Sequence, residues 1–503
     1  MSEGPDAPAD PPAQDLPEQM RVRRDKLDRL RAAGTDPYPV GFPRTTTLAA
    51  LRARYADLPP DTATGDRVGV AGRVVLSRVG GKLCFATLRD GSGEGQVMLS
   101  LDRLGEAALA AWKSDVDLGD HVGVEGEVIT SRRGELSVLA DRWALTSKSL
   151  RPLPDKHHGL TDPEARVRQR YVDLIVNPDA RRMLEVRAAV MRSLRASLTD
   201  RGYTEVETPM LQPVHGGATA RPFVTHMNAL NLPLYLRIAP ELYLKRLVVG
   251  GVENVFEINR NFRNEGVDTR HNPEFTMLEA YQAYGDYDSM LELTRSLVQE
   301  AAVAAYGSTV VRHVDGSEHD LGGTWRSVSV HEAVSAALGE PVDVDTPLAR
   351  LVDLAGAAGV ELQPAWGPGA VVLELYEKLV EAATVEPTFY RDFPTEVSPL
   401  TRQHRRDPRL AERWDLVAYG REVGTAYSEL VDPVEQRRRL TEQSLAAAAG
   451  DPEAMVLDED FLRALEYGMP PSGGLGLGVE RLLMTLTGSP SIRETILFPL
   501  VRP

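Results

Sequence analysis

The chain is 503 residues long and contains one cysteine, Cys84. A lone thiol excludes an internal disulfide and any metal site of clustered thiolates, so a reducing compartment is expected. No run of roughly 18 apolar residues occurs, which argues against a membrane-spanning helix. The opening MSEGPDAPAD lacks the basic and apolar regions of a secretory leader, and a cytosolic protein is expected. Positive charge is in deficit: 57 Lys and Arg stand against 73 Asp and Glu, for a formal charge of −16. That balance argues against a protein that coats nucleic acid non-specifically, because phosphate contacts need clustered cations, while leaving room for a local basic patch. Both common glycine devices for nucleotides are also missing. GLGLG at 474–478 is not the GxGxxG of a dinucleotide fold, and RVGGKL at 78–83 has Leu83 where a P-loop needs Ser or Thr.

What is present is an ordinary globular composition, 42% hydrophobic and 26% charged, on a chain long enough for about two to four domains. Residues 1–19 read as a disordered tail, with five prolines, five acids and no base in the first 18. In the extension at 20–64, MRVRRDKLDRLR reverses the sign, and Met20, Leu27 and Leu30 give it a helical stripe. It reads either as a solvated charged helix or as one that touches RNA. Short alternating runs at 65–150, separated by GG, DGSG, LGD and RRG turns, predict five strands, with the helix RLGEAALAAWKS between the third and fourth. That is the pattern of a small Greek-key barrel of the OB type, a fold that binds oligonucleotides and much else. A Pro- and charge-rich connector covers 151–164. From 165 to 503 helices and strands mix without strict βαβ alternation, which predicts an α+β domain on an antiparallel sheet, with a helical insertion at about 341–410.

Within that domain, ENVFEINRNFRNE reads as a two-faced strand, with Phe256, Ile258 and Phe262 on one side and Glu257, Asn259, Asn261, Arg263 and Glu265 on the other. The next run, EFTMLEAYQAY, aligns Phe275, Met277, Glu279 and Tyr281. Joined through GVDTRHNP, the two form a floor on which Arg263 can fork onto a phosphate, Phe275 can carry a ring, and Glu279 with Tyr281 suit an amine. A solvated hairpin tip is the plainer alternative for the charged stretch. RWDLVAYGREVGTAYSEL predicts a second hairpin, turning at AYG, that brings Asp415 to Glu422. Two such carboxylates suit Mg²⁺ with substrate phosphates as the remaining ligands, or are simply a surface pair. Thr425, Tyr427 and Glu429 share one parity and Glu422 has the other, so a bulge near Gly424 is required for all of them to line one pocket. Finally, GLGLGVERLL offers a glycine strand for close backbone approach and a helix whose first turn aims Arg481 at phosphate, or else a packing device.

Together these stretches resemble the signature motifs of class II aminoacyl-tRNA synthetases, and the chain after its tail is similar to the bacterial-type lysyl-tRNA synthetases of that class. The helix EVRAAVMRSLRASLTDR with the strand ending at Pro209 resembles the first motif, FRNE with RHNPEF the second, and GLGLGVERLL the third. The resemblance implies a homodimer built on the first motif. It implies ATP- and Mg²⁺-dependent activation of L-lysine to lysyl-adenylate, then transfer to the 3′-terminal adenosine of tRNA(Lys). Arg263 and Arg481 would be the catalytic side chains, acting on the phosphates, while Glu265, His271, Asn272, Phe275 and Glu422 would bind ATP. Asp415 and Glu422 would hold the metal. For lysine, Gly217 and Glu241 match the α-amino end, and Glu279, Tyr281 and Glu429 surround the ε-ammonium, with Thr425 and Tyr427 beside them. Carboxylates there also make electrostatic sense, since a buried ammonium must be paired or its desolvation is prohibitive.

In the barrel, Arg78, Phe85, Gln96 and Glu135 match positions that read the U-rich anticodon by stacking and by contacts to base edges. Some positions depart from the family pattern. GTAYSEL in place of GNGFSEL puts Thr425 where an asparagine touches the substrate and Tyr427 where phenylalanine is common. Glu480 stands where aspartate is common, and KHHGL replaces KWHGL at 156–160. Three other readings are weaker. An aspartyl or asparaginyl enzyme would want a cationic side-chain pocket; a paralogue lysylating a protein or metabolite often lacks the barrel; a catalytically silent RNA-binding protein would not need Arg263, Glu422 and Arg481.

Overall fold

A computed structural model describes residues 16–154, 159–363, 366–448 and 455–502. Most of the expected acidic tail and the KHH of 156–158 therefore lie outside the described residues. The chain divides into units 1–161 and 162–503, at a boundary inside the expected connector.

The first unit runs α1 (Glu18–Ala32), α2 (Leu48–Arg54), β1 (Ala63–Val79), β2 (Leu83–Arg89), β3 (Glu94–Ser100), α3 (Leu101–Asp115), β4 (His121–Thr130) and β5 (Leu136–Ser147). The strands close into a barrel in the order β1-β2-β3-β5-β4, antiparallel except for β3 with β5. Alternation delivers Val70, Val74, Leu88, Val97 and Val124 to the interior, where Leu48 of α2 and Trp112 of α3 join them. The basic helix α1 is anchored to this barrel. Buried Arg23 donates to the carbonyls of Leu118, Ser149 and Arg151 at 2.8–3.2 Å, and Lys26 pairs with Asp117 at 2.7 Å. Those two cations hold the helix in place and are not part of an RNA-facing stripe.

The second unit opens with α4 (Pro163–Arg168), α5 (Arg170–Val176) and the long α6 (Pro178–Asp200). Short strands β6 (Thr204–Glu205), β7 (Leu211–Gln212), β8 (Phe223–Met227) and β9 (Leu232–Leu236) lead to α7 (Glu241–Val249). The hairpin β10 (Asn254–Phe262) and β11 (Glu274–Ala283) precedes α8 (Tyr287–Tyr306), β12 (Val310–Arg312), β13 (Glu318–Asp320) and β14 (Arg326–Ser329). Helices α9 (Val330–Leu338), α10 (Leu348–Ala357) and α11 (Pro368–Leu379) follow, then β15 (Thr388–Pro394) and a second hairpin of β16 (Leu410–Ala418) and β17 (Arg421–Ser428). The chain continues through α12 (Pro433–Ala448), α13 (Glu459–Glu466), β18 (Ser472–Gly478), α14 (Val479–Thr487) and α15 (Ile492–Thr495).

Eight strands form one sheet, β14-β15-β16-β17-β18-β11-β10-β6, parallel only at its two outer pairs. One face is sealed by Val190 and Leu194 of α6, Leu297 of α8 and Leu482 of α14, packed with Phe256 and Leu278 of the sheet. Burial of side chains of this size is the main driving force for the layer. One expectation is corrected. TFYRDFP, which the sequence places inside a helical insertion at 341–410, is β15 of the main sheet. Phe389 there packs edge-on to Trp414, ring centroids 4.8 Å apart, and this core contact outweighs the prolines around it.

Candidate active site

Strand register builds the open face of the sheet. One row runs Glu257, Glu279, Gly476, Thr425, Asp415 across β10, β11, β18, β17 and β16. The row two residues along runs Val255, Tyr281, Gly474, Tyr427, Arg413. Because alternate residues share a face, both rows project to the same side, and the glycine strand lies at their centre. A Cβ on Gly476 would have only Thr425 Cγ2 near it, at 3.9 Å, whereas one on Gly474 would overlap the Glu429 carboxylate and the Tyr281 ring. The GxGxG run therefore keeps the middle of the floor empty, a role its pattern left open.

β10 ends at Phe262, so Arg263 and Glu265 sit on the connecting loop and not on the strand that alternation predicts. The Arg263 backbone N–H bonds to Pro273 O at 2.9 Å, closing the loop, and its guanidinium lies 5.2 Å from the centroid of Phe275. The Arg263 side chain is half-buried, and its buried Nε has no hydrogen-bond partner among the described residues, a donor in want of an anion. Its loop neighbours are engaged elsewhere. His271 pairs with Asp268 at 2.9 Å, and Asn272 donates to Glu274 O at 2.5 Å while lining a separate cavity of about 390 Å³ beside Phe262.

The second hairpin turns at Tyr419 and Gly420, both at positive φ (50° and 73°), the geometry of a two-residue type I′ turn. Its register moves from Leu416 opposite Gly424 to Val417 opposite Glu422, leaving Val423 as the extra residue. This is the bulge that parity required, and it places Glu422 on the face of Asp415 and Thr425. Arg413, which sequence reasoning missed, grips both Asp415 oxygens at 3.0 and 2.9 Å, and Thr425 Oγ1 donates to Asp415 Oδ1 at 2.7 Å. Burial, with Glu422 adding to it, pushes the Asp415 carboxyl up against the pull of Arg413. Arg481 bonds Glu422 O at 3.2 Å and lies 3.4 Å from its Oε2. Glu381 joins the group, accepting from Glu422 N at 3.3 Å, and burial raises its pKa to about 7. Hard oxygen donors set among arginines suit a phosphate-bound divalent cation, and no preformed cluster of three or more His, Cys, Asp or Glu ligands exists among the described residues.

Beside this lies a buried acidic pocket. Glu241 opens α7, with Gly217 packed so closely that a Cβ there would sit 3.0 Å from Glu241 Cβ; its φ of 88° also favours glycine. Tyr281 donates to Glu279 Oε2 at 3.1 Å, and burial raises both groups well above their ordinary values, with Glu241 reinforcing the effect. Glu429, following β17, is raised to about 7 by burial, with Lys245 opposing the shift and Glu241 adding to it. Lys245 was also missed, although its spacing of four from Glu241 on one helix was the available signal. Its ammonium is fully buried, 2.7 Å from Glu241 Oε1 and 2.5 Å from Glu429 Oε2. The second contact is an ion pair not aligned as a hydrogen bond, so neither Glu429 oxygen receives an aligned donor among the described residues. Burial alone would lower the Lys245 pKa, but the two carboxylates reverse that and raise it. Glu480, one of the departures, is a structural tie: it accepts from Arg187 at 3.0 Å and from Thr276 N at 2.8 Å, joining α6 to β11.

In the barrel, Arg78 lies opposite Phe85, and Thr87 opposite Gln96, on adjoining strands. Gln96 donates to Ser137 at 2.8 Å, and exposed Glu135 pairs with Arg52 of α2 at 3.1 Å.

A family model described as tRNA synthetases class II (D, K and N) matches residues 162–502, and one described as OB-fold nucleic acid binding domain matches 68–146. The chain is similar to a lysine–tRNA ligase of Kineococcus radiotolerans, 59% identical over the full length of both, and to one of Mycolicibacterium gilvum, 58% identical over 97% of this chain and 98% of that one. It is also similar to a lysylphosphatidylglycerol biosynthesis bifunctional protein of Mycobacterium ulcerans, 58% identical over 99% of this chain but 44% of that one. With the anticodon-type barrel, the arginine-flanked sheet and the acidic pocket in place, the chain belongs to the class II tRNA synthetases, among the lysine–tRNA ligases.

Proposed function

We propose that the two sheet rows are the aminoacylation centre of this lysine–tRNA ligase, with ATP over Arg263 and Phe275 and lysine between Glu241 and Glu429. The enzyme activates L-lysine with ATP to lysyl-adenylate and transfers the lysyl group to the 3′-terminal adenosine of tRNA(Lys). The observation that carries the pocket assignment is Glu429, a buried carboxylate without an aligned donor. Its cationic neighbour Lys245 is shared with Glu241, so the carboxylate can still take a second ammonium, and lysine's ε-ammonium would be met there by Tyr281 and Glu279 as well. The acidic lining is the opposite of what an aspartate side chain would need.

In the first step the lysine carboxylate attacks the α-phosphorus of ATP in line, and pyrophosphate leaves. Positioning and charge neutralisation are the main requirements, and no protein general base is assigned. Arg263 takes the α-phosphate and lysine carboxylate, Phe275 carries the adenine, and Arg481 takes the γ-phosphate side. Glu265, His271 and Asn272 on the loop after β10 are assigned to the nucleotide, a role that requires His271 and Asn272 to leave their partners Asp268 and Glu274. Asp415 and Glu422 would hold Mg²⁺, which when bound supplies positive charge to the phosphates.

Arg78, Phe85, Gln96 and Glu135 are assigned to the anticodon, as a stacking and edge-reading surface. A homodimer accounts for the apolar side chains exposed on the β7–β9 sheet and its turn, where Val224 and Leu230 are each 68% accessible. No described helix is long and apolar enough to cross a membrane, and a cytosolic enzyme is inferred. Lysine-dependent exchange of pyrophosphate into ATP, repeated with aspartate and asparagine, tests the reading. Exchange with lysine alone is expected, and exchange with either of the others at equal efficiency would overturn the pocket assignment.

A further inference from the structure

Lys245 is an unexpected residue to find in a pocket for lysine. It is fully buried on α7, one turn from Glu241, and its ammonium lies 2.7 Å from Glu241 Oε1 and 2.5 Å from Glu429 Oε2. Those two carboxylates are the groups assigned above to opposite ends of the substrate. We propose that Lys245 is a specificity-determining positioning residue, a resident ammonium that ties one oxygen of Glu241 to one of Glu429 and so sets which carboxylate oxygens remain for the substrate's two ammonium groups. This rests on the pocket assignment made above.

Two physical arguments carry it. The first is a charge count: Glu241 and Glu429 are two buried acids that share one resident ammonium. Each is compensated only in part and can still take a cation, which a buried carboxylate needs. The second is geometric. Lys245 takes Oε1 of Glu241 and Oε2 of Glu429, leaving the second oxygen of each, and Glu429 Oε1 passes over Gly474, where a Cβ would overlap it. The carboxylate is thus held by the lysine on one side and given room by the glycine on the other.

The groups set against Glu429 are Lys245 and Glu241 from α7 and Tyr281 from β11. All but Lys245 are acids or neutral phenols, so Lys245 is the cation among them that favours the ionised carboxylate. Removing it should raise the Glu429 pKa further and keep that carboxyl protonated through neutral pH, and lysine would then have to displace that proton to bind.

The test is to measure KM for lysine and for ATP, with kcat, by pyrophosphate exchange from about pH 6.5 to about pH 8.5. Wild type, Lys245→Met, Lys245→Arg and Glu429→Gln are compared, with thermal unfolding as a check on folding. Lys245→Met is expected to raise the lysine KM at pH 7 on the order of 10-fold, the effect of about one pKa unit. The ATP KM should stay within about twofold, and the lysine defect should shrink as pH rises. Lys245→Arg should retain more lysine affinity than Lys245→Met, because the cation is kept. A lysine KM unchanged in Lys245→Met, or lysine and ATP KM rising together without pH dependence, would overturn the proposal. If Glu429→Gln leaves the lysine KM unchanged, the pocket assignment itself falls; if it raises the lysine KM while Lys245→Met does not, only the role of Lys245 falls. Should Lys245→Met not fold, the same comparison is made between Lys245→Gln and Lys245→Arg.

Discussion

Thr425 Oγ1 donates a 2.7 Å hydrogen bond to Oδ1 of Asp415, a carboxylate that Arg413 also grips through both oxygens. The threonine that stands where relatives carry asparagine therefore acts on the carboxylate assigned to Mg²⁺. Thr425→Val should raise the Mg²⁺ concentration needed for half-maximal exchange by roughly 10-fold or more, as losses of such supporting hydrogen bonds do. The lysine KM should change by less than about threefold. A Mg²⁺ titration at saturating lysine checks this, and the reverse pattern would show that the hydroxyl belongs to the amino-acid site.

The Arg263 guanidinium lies 5.2 Å from the Phe275 ring centroid, and the two assignments to ATP can be separated. Phe275→Ala should raise the ATP KM by about 5-fold to 100-fold, the usual range for losing a stack on a base. Arg263→Ala should lower kcat by about 100-fold to 1,000-fold, as removal of a transition-state donor does. Steady-state exchange kinetics with ATP varied at saturating lysine distinguish the two.

The glycine floor predicts opposite outcomes two residues apart. Gly476→Ala places its methyl in open space, with only Thr425 Cγ2 at 3.9 Å. It should fold with a Tm near wild type and lose substrate affinity. Gly474→Ala drives a methyl into Glu429 and Tyr281, and should cost about 1–3 kcal/mol of stability. Thermal unfolding set beside lysine KM reads both.

The exposed apolar face on β7–β9 should be covered in solution. Val224→Glu, at a position 68% accessible in the isolated chain, is expected to shift the proposed dimer to monomer by sedimentation velocity, because a charge buried at a subunit contact is costly. An unchanged dimer would place the contact elsewhere.

Much of this site was legible because strands have a period of two. Parity alone aligned Phe275 with Glu279 and Tyr281, and the parity conflict between Glu422 and Thr425 required the bulge that leaves Val423 unpaired. The turn at Tyr419 and Gly420 was equally local. Other features depend on contacts between distant segments. Lys245 reaches Glu429 from another element, and sequence spacing exposes only its link to Glu241. Arg263 left its predicted strand because the chain turns after Phe262 to close the loop on Pro273. β15 was hidden by prolines that the sheet tolerates near its edge.

The central claim is that Glu429 receives the side-chain ammonium of lysine. The most direct test is the lysine KM of wild type and Glu429→Gln as a function of pH. Burial raises the Glu429 pKa to about 7, so its ionised fraction grows as pH rises through that value, and an ammonium needs the ionised form. The wild-type lysine KM should therefore fall as pH rises from about 6 and level off above about 8, while the ATP KM stays flat. Glu429→Gln should raise the lysine KM by about 30-fold or more at pH 8, the cost of removing one partner of a buried charge pair, and lose the pH dependence. A Glu429→Gln enzyme with unchanged lysine KM, or with lysine and ATP KM raised equally, would contradict the account.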